Sequence, residues 1–432
     1  MPGFKVNDGS GSYATPAAVK VLSGGQWQDA SAVKANDAGQ WVDVYSAEPV
    51  APSTSYVFVS ESQLQKQKQR VDDGKWPFGK AYNRFMNRAD KALNASLRSV
   101  TDDSGDDYGP HRFEARTNNR ADYRAAVKMS EVARDCGLAY WFTGQDKYAE
   151  KVVDVVHHWF LKDRTYMIPK SSIPKANGTI RQFIWIPSFL YGASFVRNHY
   201  RWGRYDGSRP WDGGDSGDAE SAFKHWVRDW QSTLRDSEPD WCIKNNRWPW
   251  RIANRAAIAA YLADDDLMTT AKRMYCAEIR NDCAKHRHWA SWTRVDGNEG
   301  YFSVELLRDD AFDYTSYFLL GCATCCTAFE AWDGTDLWSF TGTNDDDGGA
   351  TLRKACNWSE LKKATTNRWS WSRDADGVNI SDGDIEQTAS LYELAHARWN
   401  EFDNQINNSD VGGRPHWDRR LLGPITLTHG EP

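Results

Sequence analysis

The chain has little net charge of either sign. Its 53 Lys and Arg stand against 59 Asp and Glu, a formal charge of -6, so nucleic acid is not an expected partner. The opening Met-Pro-Gly-Phe-Lys-Val-Asn-Asp-Gly lacks a basic stretch followed by an apolar one, so no secretory signal is read there. The longest apolar run, residues 318–329, is too short to cross a bilayer, and no membrane partner is expected. The eight cysteines, at 136, 242, 276, 283, 322, 325, 326 and 356, follow no zinc-ligand spacing. Cys322, Cys325 and Cys326 fall in an apolar helical run and read as reduced core thiols. Asp345-Asp346-Asp347, the pair Asp374 and Asp376, and the pair Asp382 and Asp384 complete no calcium loop. They read as solvated turns, and neither a metal nor a cofactor is expected.

Aromatic side chains, by contrast, are plentiful: 22 Trp, 18 Tyr and 17 Phe exceed what a core of this size needs. Most must pack inside, but two or three Trp are expected to face a ligand, and the flat C–H faces of sugars suit such rings. With 432 residues the chain can form one large helical domain with a small appendage.

Residues 1–48 differ from everything that follows. Val19-Lys-Val-Leu-Ser-Gly-Gly-Gln-Trp27 is echoed by Val33-Lys-Ala-Asn-Asp-Ala-Gly-Gln-Trp41, the pattern of short strands broken by Gly turns. This stretch resembles the small N-terminal modules of phage tail proteins. The resemblance implies a β-rich attachment module that meets other virion tail proteins, and a virion-carried protein acting outside the host cell. Residues 49–59, rich in Pro, Ser and Thr, are expected to be a linker.

From Ser60 onward the apolar period is helical. Val127, Ser130, Ala133, Cys136 and Ala139 define one stripe, Thr143-Gly-Gln-Asp a turn, and Tyr148, Val152, Val155 and Trp159 the next stripe. Further pairs are predicted at 184–200 with 219–234, at 250–263 with 267–285, and at 314–332 with later helices ending at 387–399. Successive antiparallel hairpins stack into a solenoid or close into a toroid whose loops converge on a cleft.

Two segments concentrate chemistry. Lys244-Asn245-Asn246-Arg247-Trp248-Pro249-Trp250 opens an Ala-rich helix, and Glu305-Leu-Leu-Arg308 is followed by Tyr314 before another apolar helix. Together they hold two amides, two guanidiniums, a phenol and two indoles suited to gripping an acidic sugar. These segments, with the run Leu138-Ala-Tyr-Trp-Phe-Thr-Gly-Gln-Asp-Lys-Tyr148, then Trp159-Phe160, Arg164-Thr165 and Met167, resemble the alginate lyase domain of the family 5 polysaccharide lyases and their relatives over roughly residues 60–400. The resemblance implies a mainly α fold, an incomplete α/α toroid of helix hairpins over residues 60–432, preceded by the small β-rich module. It also implies cleavage of a uronic acid polymer by β-elimination.

That reaction removes the proton at C5 and expels the oxygen at C4. Beside an ionised carboxylate the C5 proton is very weakly acidic, so neutralising the carboxylate is the largest task. By the resemblance, Asn246 matches the family's second Asn and takes this role, supported by Asn245 and Arg308. Tyr314 matches the catalytic Tyr, which must lie within reach of C5, and a neighbouring Arg308 would lower its phenol pKa from about 10.

Where the family carries His after the Asn pair, this chain has Arg247, which stays protonated and cannot be a base. A single Tyr suffices only where the C5 proton and C4 oxygen lie on one side, as in mannuronate and glucuronate, so a substrate of that type is expected. Substrate-binding candidates are Trp248 and Trp250, His111, Arg112 and Arg116 in a loop that reads equally as solvated, and Arg181 with Trp185. His286 and His288 offer a replacement base, although a surface helix end explains them as well.

Two other classes compete. An inverting glycoside hydrolase on a similar toroid would nominate Glu299, Glu305 and Asp313, but the acids are scattered while Asn, Arg and Tyr cluster. A non-catalytic tail protein would use the cleft only to hold an anionic polysaccharide, and the change to Arg247 keeps that reading open.

Overall fold

The computed structural model describes residues 55–102, 110–113, 121–170, 184–236, 246–276, 310–341, 351–371, 380–407, 410 and 412–432, together with strands within 6–46 and 293–302. The chain divides into two compact units, Met1–Thr54 and Ser55–Pro432.

Among the described residues, the first unit has six strands paired as antiparallel hairpins: β1 (Val6–Asn7) with β2 (Tyr13–Ala14), β3 (Lys20–Ser23) with β4 (Gln26–Asp29), and β5 (Ala32–Asp37) with β6 (Gln40–Ser46). Ser23 pairs with Gln26 and Asp37 with Gln40. The Gln-Trp of each repeated triplet therefore opens the second strand of a hairpin.

The second unit begins earlier than the linker expectation allowed. Strands β7 (Ser55–Tyr56) and β8 (Val59–Ser60) pair, and Val57, Phe58 and Val59 are fully buried. Residues 55–59 therefore belong to the core of this unit and not to a linker, because three consecutive apolar side chains there escape water.

Helices follow in sequence: α1 (Glu61–Asp72), α2 (Phe78–Leu93), α3 (Ala121–Thr143), α4 (Asp146–Val156) and α5 (Ile186–Ser194). Then come a strand pair, β9 (Asp206–Arg209) with β10 (Gly214–Asp218), and α6 (Ala219–Asp236). Next are α7 (Arg247–Leu262), α8 (Asp265–Tyr275), the strand pair β11 (Thr293–Asp296) with β12 (Glu299–Phe302), and α9 (Ala311–Asp333). The chain finishes with α10 (Leu352–Cys356), α11 (Ser359–Thr366), α12 (Asp382–Trp399), α13 (Asp403–Asn407) and α14 (Ile425–His429). This is a mainly α protein, an incomplete α/α toroid of helix hairpins, with a small β-rich N-terminal unit.

Local chemistry sets the boundaries. The Ser60 hydroxyl accepts from Gln63 N at the start of α1, Asp264 caps α8, and Ser381 with Asp384 forms a reciprocal capping box on α12. Helix α9 stops where Gly334 takes a left-handed conformation, φ 77°, which glycine adopts without steric cost. The expected helix over 184–200 is shorter than its apolar period suggested. After Ser194 the chain turns, with Asn198 at φ 59°, into a short 3₁₀ segment, Tyr200–Arg204. Helices α3 and α5 nearly touch through their backbones: a Cβ on Gly192 would come within 2.3 Å of the Ala133 carbonyl, and one on Gly137 within 2.6 Å of Gly192 O.

Among the described residues, many of the aromatic side chains are core. Trp159, Trp185, Trp226, Trp230 and Trp250 are among the largest fully buried side chains, and Phe160 packs on Phe189, Phe223 and Trp226. Cys136, Cys322, Cys325, Cys326 and Cys356 are free and buried, and burial raises their thiols above the ordinary range. At the C-terminal end, α14 packs against α1, α2 and α12. Gln67 Nε2 and Arg70 Nη1 both donate to Gly430 O, each at 2.9 Å. The last residues are thereby tied to the first helix of the unit.

Candidate active site

Tyr314 lies in the first turn of α9, four residues after Asp310, whose carbonyl accepts the Tyr314 N–H at 3.2 Å. Its side chain is half-buried. One turn later Tyr317 is buried, and burial pushes its phenol well above the ordinary range. Tyr317 is therefore a neutral group at any working pH.

Asn246 occupies the position just before α7 and is buried, and Arg247, the first helical residue, is half-buried. Helices α7 and α9 cross where α9 has no side chain: a Cβ on Gly321 would lie 2.9 Å from Pro249 Cγ and 3.0 Å from Trp250 Nε1. That close approach lets the Trp250 indole donate to Tyr317 O at 3.1 Å and stack on the Tyr317 ring at 4.7 Å. Cys325 Sγ donates to Pro249 O at 3.1 Å. Asn246 and Tyr314 each precede one member of the stacked pair by about one helical turn.

On the other side of Tyr317 lies a polar cluster that the sequence reading did not find. Gln387 Nε2 donates to Asp313 Oδ1 at 3.0 Å and to Ser316 Oγ at 2.9 Å. Gln387 Oε1 accepts from Arg420 Nε and Nη2, both at 3.2 Å. The Arg420 guanidinium carbon is 5.0 Å from the centroid of the Tyr317 ring. Burial, and next the nearby Asp384, raise the Asp313 carboxyl above the ordinary carboxylate range. Nothing local in the sequence joins Arg420 to Asp313, since 107 positions separate them in the numbering and only the fold brings them together.

Other expected residues fall in varied places. Asn245, Arg308, Arg116 and Arg181, with His286, His288 and Glu305, lie outside the described residues. His111 and Arg112 are half-buried, and His111 is fixed by Nδ1 at 2.8 Å from Tyr166 O and by stacking on Tyr166 at 4.0 Å. Trp248 is half-buried beside Tyr275, ring centroids 6.0 Å apart.

Trp185 and Trp250 require correction as sugar platforms. Both are fully buried. Trp185 is enclosed by Phe113, Trp159 and Phe189, and Trp250 by Tyr317 and Gly321, so neither presents a ring face to a ligand. A further signal was available in the sequence. Arg247, Arg251 and Arg255 recur every fourth residue along α7, and Arg251 and Arg255 are buried, so one helical face is lined with guanidiniums.

Residues 77–369 match the family model described as alginate lyase. Among solved structures, the chain is similar to an alginate lyase from Bacteroides ovatus, with 19% identity, a TM-score of 0.64, and coverage of 87% of this chain and 98% of that one. It is similar to alginate lyase A1-III from Sphingomonas species A1, with 16% identity, a TM-score of 0.57, and coverage of 88% and 97%. A histidine-to-alanine variant of alginate lyase A1-III complexed with a tetrasaccharide gives 16% identity, a TM-score of 0.58, and coverage of 88% and 96%. At these identities the structural likeness speaks to the fold. A comparison with curated protein sequences gives no match.

Proposed function

The chain belongs to the alginate lyase family and is a polysaccharide lyase; from that premise we propose that it cleaves a 4-linked uronic acid polymer of the mannuronate or glucuronate type by syn β-elimination at Tyr314. The observation that carries the reading is the placement of Tyr314: half-exposed, in the first turn of a helix, beside a second tyrosine that burial keeps neutral.

In this reading a uronate docks with its carboxylate neutralised by Asn246, with Asn245, Arg247 and Arg308 in support. Neutralisation lowers the cost of the enolate-like charge that develops when C5 loses its proton, a contribution of several kcal/mol in comparable sites. The Tyr314 phenolate takes that proton. The C4–O bond then breaks as the C4–C5 double bond forms, and the same phenol returns the proton to the departing oxygen. Arg247 can bind the carboxylate but cannot serve as a second base, which supports a substrate whose proton and leaving oxygen share one side.

Residues 1–48, with their repeated Gly-Gln-Trp hairpins, are assigned by the same inference as an attachment module of a virion-associated enzyme acting on extracellular polysaccharide. The tests are direct. Mannuronate-rich alginate and glucuronan should yield products absorbing in the near ultraviolet, and guluronate-rich alginate should yield little. Cleavage confined to guluronate-rich chains would refute the single-tyrosine reading. Removal of residues 1–54 should leave cleavage intact while abolishing association with other tail proteins.

A further inference from the structure

Helix α2 carries four cations, Lys80, Arg84, Arg88 and Lys91, against a single acid, Asp90. That acid is engaged toward α4, where the Tyr148 hydroxyl donates to Asp90 Oδ1 at 2.6 Å. Lys80 and Arg84 are four residues apart and share one face, and both are exposed. Arg88 continues the row but turns inward, its guanidinium carbon 4.0 Å from the centroid of a Trp417 ring. Just ahead of the helix, Trp76 is 62% exposed, and Lys80 Nζ lies 5.3 Å from the centroid of its ring. Like charges one turn apart oppose each other, so a helix face that only met water would be better served by alternating signs.

The C-terminal segment beside this row extends it. Lys80 Nζ is 3.5 Å from Arg414 O, and Arg84 Nη1 donates to Pro415 O at 2.8 Å. The segment then presents Arg419, whose side chain is 64% exposed. Glu386 serves both guanidiniums, at 4.0 Å from Arg84 Nη2 and 2.5 Å from Arg419 Nε. One carboxylate is thus shared by two exposed cations, and Lys80 forms no ion pair among the described residues. The next residue, Arg420, lies over the Tyr317 ring, so the basic strip runs on to the helix that carries Tyr314.

We propose that Trp76, Lys80, Arg84 and Arg419 form a second polysaccharide-binding surface, outside the cleft, that holds a stretch of acidic polymer beyond the units engaged at Tyr314. A helical turn advances about 5.4 Å, close to the length of one sugar unit in an extended chain, so successive cations can meet successive uronate carboxylates. The exposed indole at the head of the row offers a face for the C–H side of a sugar ring. Because these side chains are solvated, their attraction for a polyanion is long-ranged and screened by salt. The surface retains long chains and leaves the chemistry to the cleft. This inference rests on the acidic-polymer reading of the site, and its binding arm is measured without turnover.

The test compares wild type with two double variants, Trp76→Ala with Lys80→Gln and Arg84→Gln with Arg419→Gln. Melting temperature is recorded, and kcat and KM are measured on long mannuronate-rich alginate and on a mannuronate tetrasaccharide. Affinity for the long polymer is measured at two salt concentrations in a Tyr314→Phe background. The expected result is a KM on the polymer raised about three- to tenfold, kcat and the tetrasaccharide constants within about twofold of wild type, and a polymer affinity that is lower and less dependent on salt. Unchanged polymer affinity overturns the proposal. Equal losses on polymer and tetrasaccharide also overturn it, because the residues would then act within the cleft, as does a joint fall of melting temperature and kcat in both variants. A wild type that binds the polymer through these four side chains but releases no absorbing product would refute the lyase chemistry while supporting this surface.

Discussion

The Trp250 indole and the Tyr317 ring stack with centroids 4.7 Å apart and planes 24° from parallel, while the indole N–H bonds the Tyr317 carbonyl at 3.1 Å. This contact, together with the Cys325 thiol that donates to Pro249 O, holds the start of α7, next to Asn246 and Arg247, against α9, whose first turn carries Tyr314.

Removing that contact should therefore reach the site through the core. Trp250→Ala is expected to destabilise the protein by about 3–5 kcal/mol. Trp250→Phe, which keeps an aromatic face but loses the hydrogen bond, should cost far less. Urea unfolding measures both, and a loss below about 1 kcal/mol for Trp250→Ala would mean that the two helices are held mainly by other contacts.

The contact between α3 and α5 depends on two residues without side chains. Because a Cβ at Gly192 would sit 2.3 Å from the Ala133 backbone, Gly192→Ala should force the helices apart and cost at least about 1–3 kcal/mol. Thermal unfolding should show a lowered midpoint, and an unchanged midpoint would contradict the packing described.

Glu393 is fully buried and meets Arg414 through Nε at 3.0 and 3.2 Å and through Nη2 at 2.5 Å. Arg414→Met leaves that carboxylate without its charge partner, a loss expected to be about 3–5 kcal/mol. Replacing both members, as in Glu393→Leu with Arg414→Met, should recover much of the stability. If the double variant is no better than the single one, the ion pair is not what the site requires.

Stability should also fall in mild acid. His429 is buried, with Nε2 3.0 Å from Phe58 O, and burial pushes it down to about 4. His157, half-buried on Tyr205, is likewise pushed down to about 4, first by burial and then by Lys162. Because the folded value lies below the unfolded one of about 6.5, the unfolded state binds the proton first. The contribution is constant above about pH 6.5 and is lost as pH falls toward 4, on the order of 3 kcal/mol for His429. Denaturant midpoints measured from pH 7.5 to 4.5 should drop, and His429→Gln should flatten the slope. An equal slope in the variant would exclude His429 as a source.

Much of the helical architecture was legible because its signal is local. The stripe from Val127 to Ala139, the turn at Thr143, and the stripe from Tyr148 to Trp159 became α3 and α4 with the π-helical turn His157–Leu161 that carries Trp159, since apolar spacing and a glycine turn act over a few residues. The start of the second unit was misread. Residues 49–59 have the composition of a linker, and only tertiary packing buries Val57, Phe58 and Val59. Trp185 and Trp250 were misassigned because an indole that stacks on a sugar and one that fills a core are the same letter in a sequence. Arg420 was missed for the opposite reason: its partners Gln387, Asp313 and Tyr317 come from two other helices, and no spacing along the chain announces them.

The central claim is tested most directly by following near-ultraviolet absorbance as wild type and Tyr314→Phe act on mannuronate-rich alginate, with polymer affinity measured alongside. The account predicts a rising absorbance from the C4–C5 double bond with wild type, a rate at least about 10²-fold lower with Tyr314→Phe, and nearly equal affinity for the polymer. Wild-type rates in Tyr314→Phe, or new reducing ends released by wild type without any absorbance, would contradict it.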